Sequence, residues 1–244
     1  MEIIIKNDYD EMSLASADIV IKQIREKPHS SFSFIAGYTP IGLYRELVTA
    51  CQHEELSFAA AKAFDLDEYV GLSPEDENSF YHFLNKHIFI NCNFDQENVY
   101  LINGGAQDLE DECLKHEQLI MTTGGIDVQF LGIGQNGHIG FNEPGSSFDS
   151  VTRVIDLASK TRYANAKYFG SIEAVPYKAI TVGLKTIMQA RQIVLMATGE
   201  KKADIVAAAL QGEITEEVPA SILQRHDNLI VVLDKEAAAK LKNI

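Results

Sequence analysis

The chain has 244 residues, of which 46% are hydrophobic and 23% charged, and its formal net charge at pH 7 is −14. This length and composition are those of an ordinary globular protein with one well-filled core. The acidic balance, without any basic stripe, excludes nucleic acid as an expected partner, and an anion site would have to be positive locally. No apolar run approaches the roughly 20 residues that cross a bilayer, so no membrane partner is expected.

Two further features favour a cytoplasmic location. The N-terminal residues lack the basic and apolar regions of a signal peptide. The cysteines Cys51, Cys92 and Cys113 are odd in number and lack metal-ligand spacing, which is typical of a reducing compartment. We expect all three to be small, isolated and buried hydrophobic side chains.

Runs of β-forming residues alternate with amphipathic runs along the chain. The predicted strands are Glu2–Ile5, Ser31–Ala36, Lys62–Leu66, Val99–Leu101, Asp127–Gly132, Thr152–Asp156, Ala179–Thr181, Gln192–Ala197 and Leu229–Leu233. The predicted helices are Asp8–Lys27, Thr39–Ala50, Glu77–Phe89, Leu109–Thr122, 160–168, 183–190, 200–210 and 235–242. This alternation predicts an α/β fold, a single doubly wound, Rossmann-like domain over residues 1–244, with a mostly parallel sheet and helices on both faces.

Chemically unusual residues follow three of the predicted strands. The segments are AGYTP at 36–40, DLDEY at 65–69 and GQNGHIGFNEP at 134–144. Ligands of such sheets bind beyond the carboxyl ends of the strands. We therefore expect the three segments to meet at one edge of the sheet.

The glycines at 132, 134 and 137 fit the G-x-G-x-x-G spacing of a dinucleotide-binding turn. That fingerprint requires the last glycine to open a helix. Residues 138–150 instead contain Gly140, Pro144, Gly145 and adjacent serines, which leave no room for a crossover helix. The strand is also the fifth in the chain, whereas the fingerprint belongs to the first βα turn. A nicotinamide cofactor is not expected.

The same loop holds His138 and Glu143. A histidine moves protons near neutral pH, and a nearby carboxylate fixes its tautomer and stabilises the imidazolium. The alternative is an ordinary loop histidine beside an exposed glutamate. So many glycines directly after a buried strand favour the catalytic pair.

A second acidic group lies in DLDEYVG. In a strand, Asp65 and Asp67 would point to the same face, where like charge and partial burial raise one carboxyl pKa. Such a carboxylate suits the removal of a proton from a carbon next to a carbonyl or imine. A metal site is the alternative, but no matching cluster stands at ligand spacing, and no metal is expected.

The segment IAGYTPIGLYREL predicts a strand, a turn at Gly37 and a helix start at Pro40. Free amides at such a helix start can hold a phosphate. Lys201 and Lys202, which follow a later strand, would add positive charge. The three segments together indicate a pocket with two proton-transfer groups and an anion site.

Longer strings resemble the glucosamine-6-phosphate deaminase family over nearly the whole chain. The strings are FDLDEYVGLSPEDENSFYHFL, LGIGQNGHIGFNEPGSSFDS, TRYANAKYF, ITVGLKTIM and PASIL. The resemblance implies conversion of glucosamine 6-phosphate and water into fructose 6-phosphate and ammonia, without metal or organic cofactor. The related 6-phosphogluconolactonases share the fold but lack the glutamate that is Glu143 here.

The resemblance also implies a role for each site residue. His138 would open the sugar ring, assisted by Glu143 and Asn136, and Asp67 would move the proton from C2 to C1 through an enolamine. The binding residues of the sugar phosphate would be Gly37, Tyr38, Thr39, Lys167 and Lys202.

The departures from the family lie mostly on the phosphate side. Ala36 lacks the usual hydroxyl, Tyr38 adds a ring, and Lys167 replaces an arginine that could form a bidentate fork. Asp65 replaces the usual asparagine beside Asp67. Two alternatives therefore stay open: a deaminase for galactosamine 6-phosphate or another amino-sugar phosphate, and a sugar-phosphate-binding protein of low activity. Ile155 stands where longer hexameric relatives have an effector-binding lysine, so a monomer or small homo-oligomer is expected.

Overall fold

The computed structural model describes residues 1–242, except for the side chains of Lys160 and Ala164. Its strands are β1 (Glu2–Lys6), β2 (Ser31–Phe34), β3 (Lys62–Asp65), β4 (Asp67–Tyr69), β5 (Val99–Tyr100), β6 (Val128–Gly132), β7 (Arg153–Asp156), β8 (Lys178–Thr181), β9 (Gln192–Ala197) and β10 (Leu229–Asp234). Its α-helices are α1 (Tyr9–Glu26), α2 (Ile41–Gln52), α3 (Phe80–His87), α4 (Leu109–Thr122), α5 (Ser159–Phe169), α6 (Leu184–Ile187) and α7 (Ala203–Gln211). The predicted α/β class is confirmed.

Seven strands form one parallel sheet in the order β1-β10-β9-β6-β2-β3-β5. From β2 the chain runs outward through β3 to β5. It then returns to the centre of the sheet at β6 and forms the other half of the sheet through β9 and β10. The order reverses between β2 and β6, and the carboxyl edge at such a switch point is where ligands of open α/β sheets bind. The carboxyl ends of β6, β2 and β3 lie side by side there, so the predicted meeting of the three segments is confirmed.

Burial and one tyrosine fix the end of β2. Every residue of β2 is buried, so both faces of the sheet centre are covered. The hydroxyl of Tyr44, fully buried on α2, donates to the Ile35 carbonyl at 2.6 Å and accepts from the Ile35 amide at 3.0 Å. These bonds fix the point at which the chain leaves the sheet and enters AGYTP.

A separate antiparallel sheet, in the order β4-β8-β7, corrects the sequence analysis. The predicted strand 62–66 ends at Asp65, and Asp67 begins β4 in this second sheet. Leu66 lies at the break, where its carbonyl accepts from the Val182 amide at 2.9 Å. Asp65 and Asp67 therefore lie in strands of two different sheets, which corrects the single predicted strand. The predicted effect of like charge is found at Asp65, whose pKa is raised by burial first, then by the charge of Glu68, and also by that of Asp67.

Two predicted helices also need correction. Residues 235–240 form turns instead of a helix, because Asp234 accepts from the Ala237 amide through Oδ1 at 2.7 Å and closes the chain on itself. The helix predicted over 183–190 is the single short turn α6. Within residues 1–242, no helix is long and apolar enough to cross a membrane.

The cysteines divide into two kinds. Cys113 is buried as predicted. Cys51 and Cys92 are only half-buried, and their thiols face each other. The prediction of three isolated buried cysteines is thus wrong for these two.

Candidate active site

The loop after β6 is shaped by glycines whose positions a side chain could not occupy. Gly137 has φ +88°, and a Cβ on it would lie 2.8 Å from Cγ1 of Val218. A Cβ on Gly134 would lie 2.2 Å from Cε1 of His138, so the imidazole packs where a side chain at position 134 would be. Between this loop and β7 the chain forms no helix, which agrees with the rejection of a dinucleotide turn.

Asn136, His138 and Glu143 form one hydrogen-bonded group. Nδ1 of His138 lies 2.7 Å from Oδ1 of Asn136 and 3.5 Å from Oε2 of Glu143. Nδ2 of Asn136 donates to the same Glu143 oxygen at 2.6 Å. The amide oxygen can only accept, so the neutral imidazole carries its proton on Nδ1 and leaves Nε2 free as a base. The side chain of His138 is 29% exposed, which lets a ligand reach it.

Glu143 is held as a carboxylate. Burial raises its pKa, but hydrogen bonds from His138, Thr161 and Asn136, with the charge of His138, outweigh burial and lower the pKa to about 2. Thr161, on α5, donates to its second oxygen, Oε1. A fixed negative charge beside Nδ1 stabilises the imidazolium that forms when His138 takes a proton.

Asp67 has the opposite environment. Its side chain is buried, and burial followed by the negative charge of Glu68 raises its pKa to about 8. A raised carboxyl pKa is expected from the sequence with Asp65 as the like charge, whereas Glu68 is the charge that acts on Asp67. Asp65 is instead buried at the end of β3, where its carboxyl group accepts from the Ile102 amide at 3.1 Å.

The second sheet brings Asp67 to the histidine loop. Asp67 pairs with Thr181 across β4 and β8, and the Thr181 hydroxyl accepts from the Phe141 amide at 3.1 Å. A Cβ on Gly140 would lie 3.2 Å from Oδ2 of Asp67. Gly140 is two residues from His138, so the Asp67 carboxylate lies against the same loop that carries the imidazole.

The turn after β2 presents unused backbone donors. Within residues 1–242, the amides of Gly37, Tyr38 and Thr39 donate to no other group of the protein. Gly37 has φ +123° with open space around it, and Thr39 is half-buried. The Tyr38 ring is 66% exposed and stacks on Tyr9 of α1, with ring centroids 5.3 Å apart.

Lys202 lies at the neighbouring strand end, after β9. Its Nζ donates to the Ile133 carbonyl at the end of β6, and burial lowers its pKa. Asp234 accepts from the Gly199 amide at 2.9 Å and so shapes the turn before it. Lys201, by contrast, is exposed. Of the two lysines, Lys202 is therefore the one held at the carboxyl edge of the sheet.

Lys167 is the predicted site residue that the structure does not bring to this group. It is exposed in the last turn of α5, and its Nζ lies 4.7 Å from the centroid of the Tyr168 ring. Asn165, about 160° away around the helix, instead donates to the Tyr69 hydroxyl at 2.9 Å on β4. α5 thus contacts Glu143 through Thr161 and β4 of the second sheet through Asn165.

Sequence reasoning missed three residues of this site. Glu68 directly follows Asp67 in DLDEY, and Thr161 lies in the TRYANAKYF string, so both had a signal in their neighbours. Thr181 had none, because its role depends on antiparallel pairing with β4. Within residues 1–242, no group of three or more His, Cys, Asp or Glu side chains is arranged for a metal ion.

Residues 7–232 match the family described as Glucosamine-6-phosphate isomerases/6-phosphogluconolactonase. The chain belongs to this family. A glucosamine-6-phosphate deaminase of Thermoanaerobacter sp. (strain X514) is 46% identical over 239 residues, which are 98% of this chain and 94% of that protein. One of Clostridium botulinum (strain Eklund 17B / Type B) is 45% identical over 241 residues, 99% of this chain and 97% of that protein. A solved monomeric glucosamine-6-phosphate deaminase has a TM-score of 0.96 and 44% identity, covering 98% of this chain and 100% of that chain.

Within the glucosamine-6-phosphate isomerase/6-phosphogluconolactonase family, these similarities are to proteins named deaminases and extend over nearly their full length. The resemblance in the sequence analysis is therefore confirmed at the level of the family.

Proposed function

We propose that this chain converts glucosamine 6-phosphate and water into fructose 6-phosphate and ammonia. The observation that carries the proposal is the placement of Asp67 beside the loop of Asn136, His138 and Glu143, at the switch point of the sheet. One histidine and one carboxylate with separate environments are what a reaction with oxygen and carbon proton transfers needs.

Ring opening is assigned to His138. Its Nδ1 is bound to Asn136, so Nε2 accepts the proton of the C1 hydroxyl and returns a proton to the ring oxygen. Glu143 stabilises the charged imidazole between these two transfers. The products of this step are the open-chain aldehyde and an unchanged enzyme.

Isomerisation is assigned to Asp67. The carboxylate removes the proton from C2 and O1 takes a proton from the substrate's own ammonium group, which gives an enolamine. The carboxyl group then delivers its proton to C1, which produces a protonated ketimine at C2. Its raised pKa makes this carboxylate a stronger base than an ordinary aspartate. Water adds to C2, ammonia leaves, and the ketone of fructose 6-phosphate remains.

The phosphate is assigned to the crevice between β2 and the end of β9. The unused amides of Gly37, Tyr38 and Thr39 and the half-buried Lys202 supply donors and one positive charge. Lys167, which is exposed at the end of α5 and is not brought to this group, is left out of the assignment. In this assignment the side chains carry out every proton transfer. Together with the backbone amides they hold the substrate, without a metal or organic cofactor.

We further propose that the chain acts as one domain in the cytoplasm, as a monomer or small homo-oligomer. The similarity to a solved deaminase that is monomeric supports the monomer. The unpaired free cysteines agree with a reducing compartment.

Of the two alternatives, the change of epimer loses one of its arguments. Asp65 is buried and bound to the Ile102 amide, so it does not contact a sugar. The low-activity binding protein is favoured by the missing hydroxyl at Ala36, the ring of Tyr38 and the outward position of Lys167, while the ordered Asn136, His138 and Glu143 group favours turnover.

The deciding experiment is a pair of coupled assays for ammonia and fructose 6-phosphate with glucosamine 6-phosphate and, separately, galactosamine 6-phosphate. Equal release of both products from the gluco epimer supports the proposal. Preference for the galacto epimer overturns the substrate, and tight binding by calorimetry without turnover of either sugar overturns the enzymatic function.

A further inference from the structure

A second chemically distinct site lies in an open cleft of about 400 Å³. Cys51, in the last turn of α2, and Cys92, just after the 3₁₀ turn Phe89–Asn91, both line it and are half-buried. None of the proposed catalytic or phosphate-binding residues lines this cleft. The thiols are therefore reachable by a small molecule independently of the sugar.

The two segments that carry the thiols are tied together beside them. Oδ1 of Asn93 accepts from the Phe58 amide at 2.8 Å, and Nδ2 of Asn93 donates to the Ser57 hydroxyl at 2.8 Å. Beneath these bonds the rings of Phe58 and Phe94 stack with centroids 4.4 Å apart. Because Asn93 is the neighbour of Cys92, these contacts hold the second thiol opposite the first.

The pair is chemically asymmetric. The interaction between the two thiols lowers the pKa of Cys51, while the same interaction and then burial raise the pKa of Cys92. Cys113 has a pKa raised to about 11 by burial first and then by nearby glutamates. A thiolate reacts with disulfides and a thiol does not, so Cys51 is the attacking member.

We propose that Cys51 and Cys92 form a dithiol site that exchanges with low-molecular-weight disulfides. The Cys51 thiolate attacks one sulfur of the disulfide RSSR, forms a mixed disulfide and expels RS⁻, which takes up a proton. Cys92 then loses its proton, attacks Sγ of Cys51 and expels the second RS⁻. The balance is one dithiol and one RSSR giving one protein disulfide and two RSH. The disulfide closes a loop that contains β3 and β4, and with them Asp67.

The test uses the full chain and oxidised glutathione as the probe. The wild type is incubated, alkylated, digested without reduction and examined by mass spectrometry. We expect a peptide pair joined through Cys51 and Cys92, and free alkylated Cys113. Absence of that pair, or Cys113 in the joined peptides, overturns the proposal.

Variants separate the two steps. In Cys92→Ser the resolving thiol is missing, so glutathione should remain attached to Cys51. In Cys51→Ser the attacking thiol is missing, and Cys92 should stay unmodified, while Cys113→Ser should behave as the wild type. Equal glutathione labelling of Cys92 in Cys51→Ser contradicts the assigned order.

A measurement on the unaltered protein covers the case in which a variant does not fold. Phenylarsine oxide binds two adjacent thiols at once, so one equivalent should protect Cys51 and Cys92 together from alkylation. Protection of neither, or of one alone, contradicts a dithiol site.

Discussion

The two halves of the proposed sugar-phosphate site are built differently. On the proton-transfer side, Asp67, Asn136, His138 and Glu143 are each positioned by named partners, and an antiparallel sheet ties their two segments together. On the anion side, backbone amides point from an exposed turn, and Lys202 is the half-buried cation. The first half depends on particular side chains, whereas the second depends mostly on the shape of the chain.

This difference separates the expected effects of substitution. A side chain with a defined role in proton transfer has no substitute, so its loss lowers kcat. Several amides share an anion, so the loss of one donor weakens binding and raises KM.

The largest effect is expected for Asp67→Asn. The amide cannot accept the C2 proton, so kcat should fall by about 10²–10⁴-fold. The pKa of Asp67 in the folded protein, about 8, lies above the ordinary value of 3.8. The contribution of this group to folding stability is therefore fully present below about pH 3.8 and is lost as the pH rises through 8. Asparagine cannot ionise, and the variant should gain about 0.5–2 kcal/mol of stability near pH 8.

The measurements for Asp67→Asn are ammonia release and thermal unfolding at pH 5 and pH 8. Asp156→Asn is the matched control, because that carboxylate is exposed on β7. Wild-type kcat in Asp67→Asn would remove this residue from the mechanism, and an unchanged melting temperature at pH 8 would contradict the buried charge.

The next effect is expected for Lys202→Ala. Loss of one charge-assisted bond costs about 1.5–3 kcal/mol, which corresponds to a rise in KM of roughly 10–100-fold with little change in kcat. Lys201→Ala is the neighbouring control, since that side chain is exposed. Equal KM values for both variants, from initial-rate kinetics, would show that Lys202 is not the phosphate cation.

A smaller effect is expected for Glu68→Gln, and it appears in the pH profile. Activity needs the Asp67 carboxylate, so kcat/KM should rise with pH through about 8 in the wild type. Removing the neighbouring charge should lower the pKa of Asp67 and move this rising limb to lower pH by up to about one unit.

The control for Glu68→Gln is to check that helix α3 remains folded. The Glu68 carboxylate accepts from the amides of Phe80 and Tyr81 at the start of that helix, and Oε1 of Gln can keep one of these bonds. A loss of kcat at every pH without movement of the limb would mean that Glu68 only supports the helix.

The sequence predicts the parallel sheet and its carboxyl edge because buried parallel strands read as continuous apolar runs. It does not predict the second sheet, since β4 has three residues and pairs with a strand more than a hundred residues away. The stretch 235–242, rich in alanine and lysine, has high helix propensity, but the bonds to Asp234 hold it in turns. The local sequence pattern mispredicts secondary structure where contacts with distant residues determine it.

The same contrast holds within the site. The loop of Asn136, His138 and Glu143 is contiguous, so its residues are predicted from one string. Glu143 finds Thr161 only through the packing of α5. The facing of Cys51 and Cys92 is likewise a product of the fold, since neither lies in a local motif.

The smallest effect is expected for Tyr38→Gly, which tests the side of the site that depends on the shape of the chain. The ring is 66% exposed and stacks on Tyr9, and the Tyr38 carbonyl, present in every variant, accepts from the Tyr9 hydroxyl at 3.1 Å. If the amides hold the phosphate, kcat should stay unchanged and KM should move less than the roughly 10-fold expected for Lys202→Ala. Tyr38→Phe, which keeps the stacking ring, should match the wild type. A fall in kcat with Tyr38→Gly but not with Tyr38→Phe would show that the ring itself orders the turn, so the anion side would then depend on a side chain too.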